Sequence, residues 1–178
     1  MFMKKYLFTL VAVLMLACGS QKANAETSLY ASYGGYTQMD ACDNHNGWDK
    51  VNSAWGALNV GVDFRVLSKM RIGPSYTFSS CSTKGGKDAS HIAYHAILLN
   101  VKYDYYKNRI VTLYGHGAVG CVISHLQPKG HDSYNKAYFA GQISPLGAEV
   151  GISRGFKMFG ELGFGAQGLV QVGFRVSL

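Results

Sequence analysis

Proline is scarce, at three in 178 residues, and no long stretch is of low complexity, so an extended disordered chain is excluded. No C-x-x-C pair occurs, which removes the zinc-ribbon and thioredoxin-type readings. Beyond residue 25 no apolar run approaches the ~20 residues a spanning helix needs, and amphipathic helical periodicity is hard to find. The basic excess is scattered rather than gathered into a stripe, so nucleic acid is not expected as a partner.

One strongly apolar run is present, at the start. Lys4 and Lys5 precede an apolar stretch from Tyr6 to Ala17, and Ala23-Asn24-Ala25 follows. Basic, apolar, then small-x-small is the order of a secretory signal peptide, with cleavage after Ala25. Cys18 in "LMLACGS" offers a second processing route, lipidation of that cysteine. Residues 1–25 are therefore read as the signal peptide and 26–178 as one domain of 153 residues. Losing Lys4, Lys5 and Lys22 takes the 17 basic residues to 14 against ten acidic ones, a net +4. Export permits disulfides, and the exported part keeps Cys42, Cys81 and Cys121, an odd number.

What the exported part does have is a period of two. From Trp55 to Val66, Leu58, Val60, Val62, Phe64 and Val66 alternate with Ala57, Asn59, Gly61, Asp63 and Arg65. Ile72, Tyr76 and Phe78 alternate with Arg71, Gly73, Ser75 and Thr77, and the last residues, "GLVQVGFRVSL", repeat the pattern. This periodicity predicts eight strands, near 28–38, 54–66, 69–80, 91–104, 108–122, 137–152, 157–166 and 169–178. Short connections ("LSK", "YYKN", "SRGF") alternate with long polar ones such as "MDACDNHNGWDKVNS", except that "AQG" between strands 7 and 8 is also short. That describes an all-β, eight-stranded antiparallel up-and-down meander.

One face of these strands is bulky and apolar, and the other carries Gly, Ser, Asn and charges of both signs. Strands near ten residues suit a tilted crossing of the hydrocarbon layer. The polar face is rich in glycine (Gly61, Gly73, Gly147, Gly163, Gly173), as a narrow interior requires, where a soluble surface would carry more Lys and Glu. Both features favour a transmembrane β-barrel over a soluble sandwich. Asp63, Arg65, Arg71, Lys102, Glu149, Glu161 and Arg175 then form a charge network in a lumen just wide enough for side chains. Folding strands 7 and 8 about Gly168 places Glu161 opposite Arg175. In strand 6 the polar face shifts by one residue between Ser144 and Gly147, which predicts a bulge at Pro145. Leu178 is expected to complete the outward face of a last strand that closes on the first.

The stretches "GELGFGAQG" and "VQVGFRVSL", with "RIGPSYTFSS", "LYGHGAVG" and "QISPLGAEVG", resemble strands of the small outer-membrane β-barrel family, the OmpA/OmpX-like barrels of Gram-negative bacteria. The resemblance spans the exported chain and concerns architecture. It implies residence in the outer membrane with both termini periplasmic, outer-membrane lipid and lipopolysaccharide as surroundings, and insertion by the barrel-assembly machinery. The assembly signal would lie in Phe174, Val176 and Leu178, where the family's usual final residue is Phe. No periplasmic peptidoglycan-binding domain follows, so tethering by that route is not expected.

Six histidines invite an enzyme reading, lipid modification at the outer leaflet. His91 and His95 share one face of a strand but stand about 13 Å apart, too far to bind one metal together. With His45, His125 and His131 they read as rim and loop residues, while His116 falls with Tyr114 on the inner face of strand 5. No catalytic residue, cofactor or metal is expected. Tyr33, Trp55 and Tyr103 read as girdle or rim aromatics. Cys42–Cys81 is the preferred disulfide, three free thiols being the alternative. The expected role is structural or interactive, through extracellular loops with an unidentified partner. A lipid-modifying enzyme and a narrow, porin-like channel are the alternatives.

Overall fold

The structure, a computed structural model, describes residues 26–40, 54–82, 91–127 and 134–178. The leader with Cys18 and Ala25, and the loop residues Cys42, His45 and His131, lie outside the described residues. Eight antiparallel strands close into a barrel in sequence order: β1 (Thr27–Gly35), β2 (Ala57–Leu67), β3 (Met70–Ser82), β4 (His91–Lys107), β5 (Val111–Gln127), β6 (Tyr134–Ser153), β7 (Phe156–Gly165) and β8 (Val170–Ser177). Closure runs from Ser28 opposite Ser177 to Gly35 opposite Val170, so the last strand has a partner on both sides. The tight turns after β2, β4 and β6 gather at one end with Glu26 and Leu178. The connections after β1, β3, β5 and β7 form the other, the loop end.

Alternation along each strand divides inside from outside. On β8, Val170, Val172, Phe174 and Val176 are exposed, while Gln171, Gly173 and Arg175 are buried. Pro145 stands where the expected bulge falls: the β6–β7 register shifts between Ile143 and Leu146, and that of β5–β6 between Tyr114 and His116. A second bulge, between Asp104 and Tyr106, swings Tyr105 across the outer face so that its hydroxyl donates to the Pro145 carbonyl at 2.7 Å. Gly115 lies under that ring, where a Cβ would collide with the Tyr105 hydroxyl.

Two expectations are corrected. Glu161 pairs with Gln171 and Arg175 with Lys157, so Glu161 and Arg175 are not opposite. The hairpin turns about Ala166 rather than Gly168, because Gly165 (φ 145°) and Gly168 (φ 113°) together make the reversal and the intervening residues fold inward. The inner face is also not polar throughout. Near the loop end Met39, Ile92, Tyr94, Ala96, Leu98, Ala118, Val122, Ala140 and Ala166 form an apolar core inside the barrel.

A helical turn over residues 38–40 carries Met39 into that core. Asp40 fixes it: its carboxylate accepts from the Thr37 amide (2.8 Å) and hydroxyl (2.9 Å), and from the Ala54 amide (2.7 Å). One buried side chain thus ties together the two ends of the connection between β1 and β2.

Candidate functional site

Below the apolar core the lumen becomes a layer of amides, and below that a layer of charge. Hydrogen bonding sets the order, since a buried polar group without a partner costs about 1–3 kcal/mol. In the amide layer Asn59 donates to Ser32 (3.2 Å) and accepts from Thr77 (2.7 Å), while Asn100 donates to the Gly73 carbonyl (3.0 Å) and Ser75 (2.8 Å). The inward-folded β7–β8 turn joins this layer from above. The Gln167 side chain donates to Ser75 (3.0 Å) and to Asn100 Oδ1 (3.1 Å), and the Gln167 amide donates to Gln142 (3.0 Å). The turn therefore spans the lumen from β7–β8 to β3 and β4.

Glu149 on β6 is the centre of the charged layer. Its carboxylate faces Arg71 (3.2 Å), Lys102 (3.3 Å), Lys157 (3.5 Å) and Arg175 (2.8 Å). Around it Arg71 pairs with Asp104 (3.2 Å), Arg175 with Asp63, and Lys102 with Glu161 (3.6 Å). Glu161 also accepts from the Tyr114 hydroxyl and meets His116 Nδ1, both at 2.8 Å, while His116 Nε2 lies 2.9 Å from Asn100 Oδ1. His116 thereby links the charged layer to the amide layer. Aromatic faces complete the packing: Lys102 Nζ sits 3.7 Å from the Tyr114 ring centre, and the Arg175 guanidinium 5.1 Å from that of Tyr30. Gly147 and Gly61 leave room for the Tyr114 and Tyr30 rings, which a Cβ at either position would strike.

Of the charged residues singled out in the sequence, Asp63, Arg71, Lys102, Glu149, Glu161 and Arg175 meet in this layer. Arg65 does not. It lies at the turn-end rim, paired with Glu26 at 2.9 Å and donating to the Ser68 carbonyl. Two members escaped sequence reading, Asp104 and Lys157. Both keep the inward parity of Lys102 and Glu161, but they sit beside turns, where a charged side chain is equally compatible with solvent at the rim.

The outer face is apolar around the circumference, with Leu29, Val60, Ile97, Leu99, Val119, Ile143, Leu162 and Val172 among its exposed side chains. Aromatic residues flank this belt. Tyr103, Tyr105 and Tyr106 lie toward the turn end, with Phe156 stacked on Phe174 at 5.5 Å. Tyr33 stacks on Trp55 at 6.0 Å toward the loop end. Phe174, Val176 and Leu178 all face outward.

Cys81 is buried within the apolar core, its sulfur 3.8 Å from the Tyr94 hydroxyl, whereas Cys121 is exposed on the outer face. Cys121 is opposite Ile97, and Ile97 is opposite Tyr76, so it stands five residues along the strand from the level of Cys81. The Cys42–Cys81 pairing involves a residue outside those described. His95 bonds Tyr76 on the outer wall and His125 bonds Asn135 near the loop end. No group of three metal-ligating side chains occurs among the described residues.

No family model matches the chain, and no characterised protein sequence does. Among solved structures, the chain is similar to Ail, the attachment invasion locus protein of Yersinia pestis. The crystal structure of Ail aligns at 11% identity and a TM-score of 0.46, covering 86% of this chain and 93% of Ail. Ail in complex with the heparin analogue sucrose octasulfate aligns at 10% and 0.47, covering 86% and 94%. The backbone structure of Ail in a phospholipid bilayer nanodisc aligns at 12% and 0.48, covering 87% and 100%.

Proposed function

We propose that this chain is an integral outer-membrane β-barrel with a structural and interaction role, its lumen filled by the charged and amide layers and its loops facing outward. The observation that carries the reading is the inverted distribution of side chains. Charged and amide side chains such as Arg175, Glu149 and Gln142 are buried at 1% exposure or less, while Ile143, Phe139 and Phe164 are exposed by 59% or more. A soluble barrel of this size gains its stability from the opposite arrangement. A closed barrel satisfies every strand edge internally, which the hydrocarbon layer demands, and an apolar belt between aromatic girdles matches the two interfaces.

Filling supports a structural role over wide conduction. The space left between Tyr30, His116, Gln167, Gln171 and Arg175 is about 10 Å³, the scale of one water. Interaction falls to the loop end, where β4, β5 and β6 extend to His91, Gln127 and Tyr134, beyond the end of β7 at Gly165. The barrel-assembly machinery would meet the outward Phe174, Val176 and Leu178, and both termini would lie on the periplasmic side.

Membrane extraction followed by electrophoresis with and without boiling tests the reading. A fast-migrating form that slows on boiling is the expected result, since a closed barrel survives detergent while cold. Release into the soluble periplasmic fraction, with no mobility shift, would overturn it.

A further inference from the structure

We infer that His116 and Glu161 form a proton-operated latch, in which one proton on the imidazole ties the β7–β8 turn, the closure of the lumen, to the charged layer below it. The inference rests on the reading of a filled lumen and deepens it. It starts from Asn100, whose orientation is fixed. The Asn100 amide nitrogen faces the Gly73 carbonyl at 3.0 Å and the Leu98 carbonyl at 3.4 Å, and carbonyl oxygens only accept. Asn100 Oδ1 therefore points the other way, 2.9 Å from His116 Nε2, and that nitrogen must donate. The second ring nitrogen, Nδ1, lies 2.8 Å from Glu161 Oε2. A neutral imidazole has one N–H and would set a lone pair against one of these two oxygens, whereas an imidazolium has two and satisfies both. The proton belongs on the ring because Glu161 accepts from the Tyr114 hydroxyl at 2.8 Å and faces Lys102 at 3.6 Å, contacts made to a carboxylate.

The other titratable groups around the pair do not decide its state. Tyr114 lies on the same strand and Lys102 is directly opposite on β4, with Glu149 of β6 behind it. Tyr30 of β1, Asp63 of β2 and Arg175 of β8 face the pair across the small cavity, while β3 presents Ser75 to Asn100 and β6 presents Ser144 opposite His116. Lys102 and Arg175 offset Glu149 and Asp63, so the two contacts of the ring settle the matter. What the proton holds is the turn. Asn100 Oδ1 accepts from Gln167 Nε2 at 3.1 Å as well as from His116, so ring and turn meet on one oxygen. Removing the proton sets two acceptors against each other at Nδ1 or at Nε2, beside a space of only about 10 Å³. Asn100 cannot flip to relieve this, since its oxygen would then meet the Gly73 carbonyl. The ring must part from Glu161 or from Asn100, and the oxygen that anchors Gln167 shifts with it. The turn can follow, because Gly165 and Gly168 stand at its two ends with positive φ. The latch is closed when protonated and opens as the pH rises.

The test follows the full barrel, with isotope-labelled histidine, by NMR in nanodiscs from acid to alkaline pH. Wherever the turn is docked, His116 is expected to show hydrogen on both ring nitrogens. As the second hydrogen leaves, exchange protection of the Ala166 and Gln167 amides, corrected for the intrinsic effect of pH, is expected to fall several-fold while the β8 strand amides keep theirs. In Glu161→Gln the substituted amide donates to Nδ1 and still accepts from Tyr114. A neutral ring then satisfies both contacts, and protection of the turn is expected to lose its dependence on pH. A neutral His116 beneath a docked turn in the unmodified barrel would overturn the protonated state. Turn protection that is unchanged when the second hydrogen leaves, that is lost only with the whole barrel, or that stays pH-dependent in Glu161→Gln would overturn the latch. Each of these results leaves the heat-modifiable barrel standing, so the latch and the proposed function fail separately.

Discussion

Glu149→Gln is expected to destabilise the folded barrel by about 3–5 kcal/mol, the range found when one partner of a buried ion pair is removed. The substitution keeps the shape of the side chain and removes one charge. Four cations converge on that carboxylate, and Arg71, Lys102 and Arg175 are themselves buried, so none can turn to water for compensation. Arg71 retains Asp104, Arg175 retains Asp63 and Lys102 retains Glu161, which keeps the cost within that range. Arg65→Met is the comparison, since its pair with Glu26 is partly exposed at the rim and is worth less than about 1 kcal/mol. Urea-driven unfolding from lipid vesicles, followed by tryptophan fluorescence, measures both. Equal midpoints for the two variants would contradict the central place given to Glu149.

Val119→Arg is expected to cost about 2–4 kcal/mol in a bilayer, as a charge on the lipid face does near the midplane. Val119 lies midway along β5 on the outer wall, opposite Leu99 of β4 and Gly141 of β6, and 57% exposed. Nothing inside the barrel changes, so the penalty reports the surroundings alone. Ile110→Arg, in the β4–β5 turn, should cost about 0–1 kcal/mol, because the charge there reaches the interface. The same urea titration distinguishes the two. If both substitutions were harmless, the outer face would be meeting water.

The sequence made some of this legible and hid the rest for physical reasons. Strands were readable because a barrel wall with unlike faces forces a period of two. The Pro145 bulge was readable because the polar parity slips between Ser144 and Gly147. The partner of Arg175 was not readable. Register depends on where the β7–β8 hairpin reverses, and both Gly165 and Gly168 take positive φ, so a turn placed on Gly168 alone displaces every pair. Nor was the apolar core under Met39. Tyr94, Ala96 and Leu98 alternate with Ile97 and Leu99, so both faces of β4 are apolar there, and alternation loses its contrast. The role of Gln167 depends on a turn that folds into the lumen, and residue type does not encode that direction.

Cys121 supplies the most direct measurement of the central claim, because it stands on the outer wall at the level of Ile97. In a Cys42→Ser, Cys81→Ser background reconstituted in vesicles, a nitroxide on Cys121 reports whether oxygen or a water-soluble nickel chelate collides with it more often. The account predicts high oxygen accessibility with little from the nickel chelate, the signature of a side chain in hydrocarbon. Accessibility dominated by the nickel chelate in a folded barrel would place water on the outer wall and contradict the account.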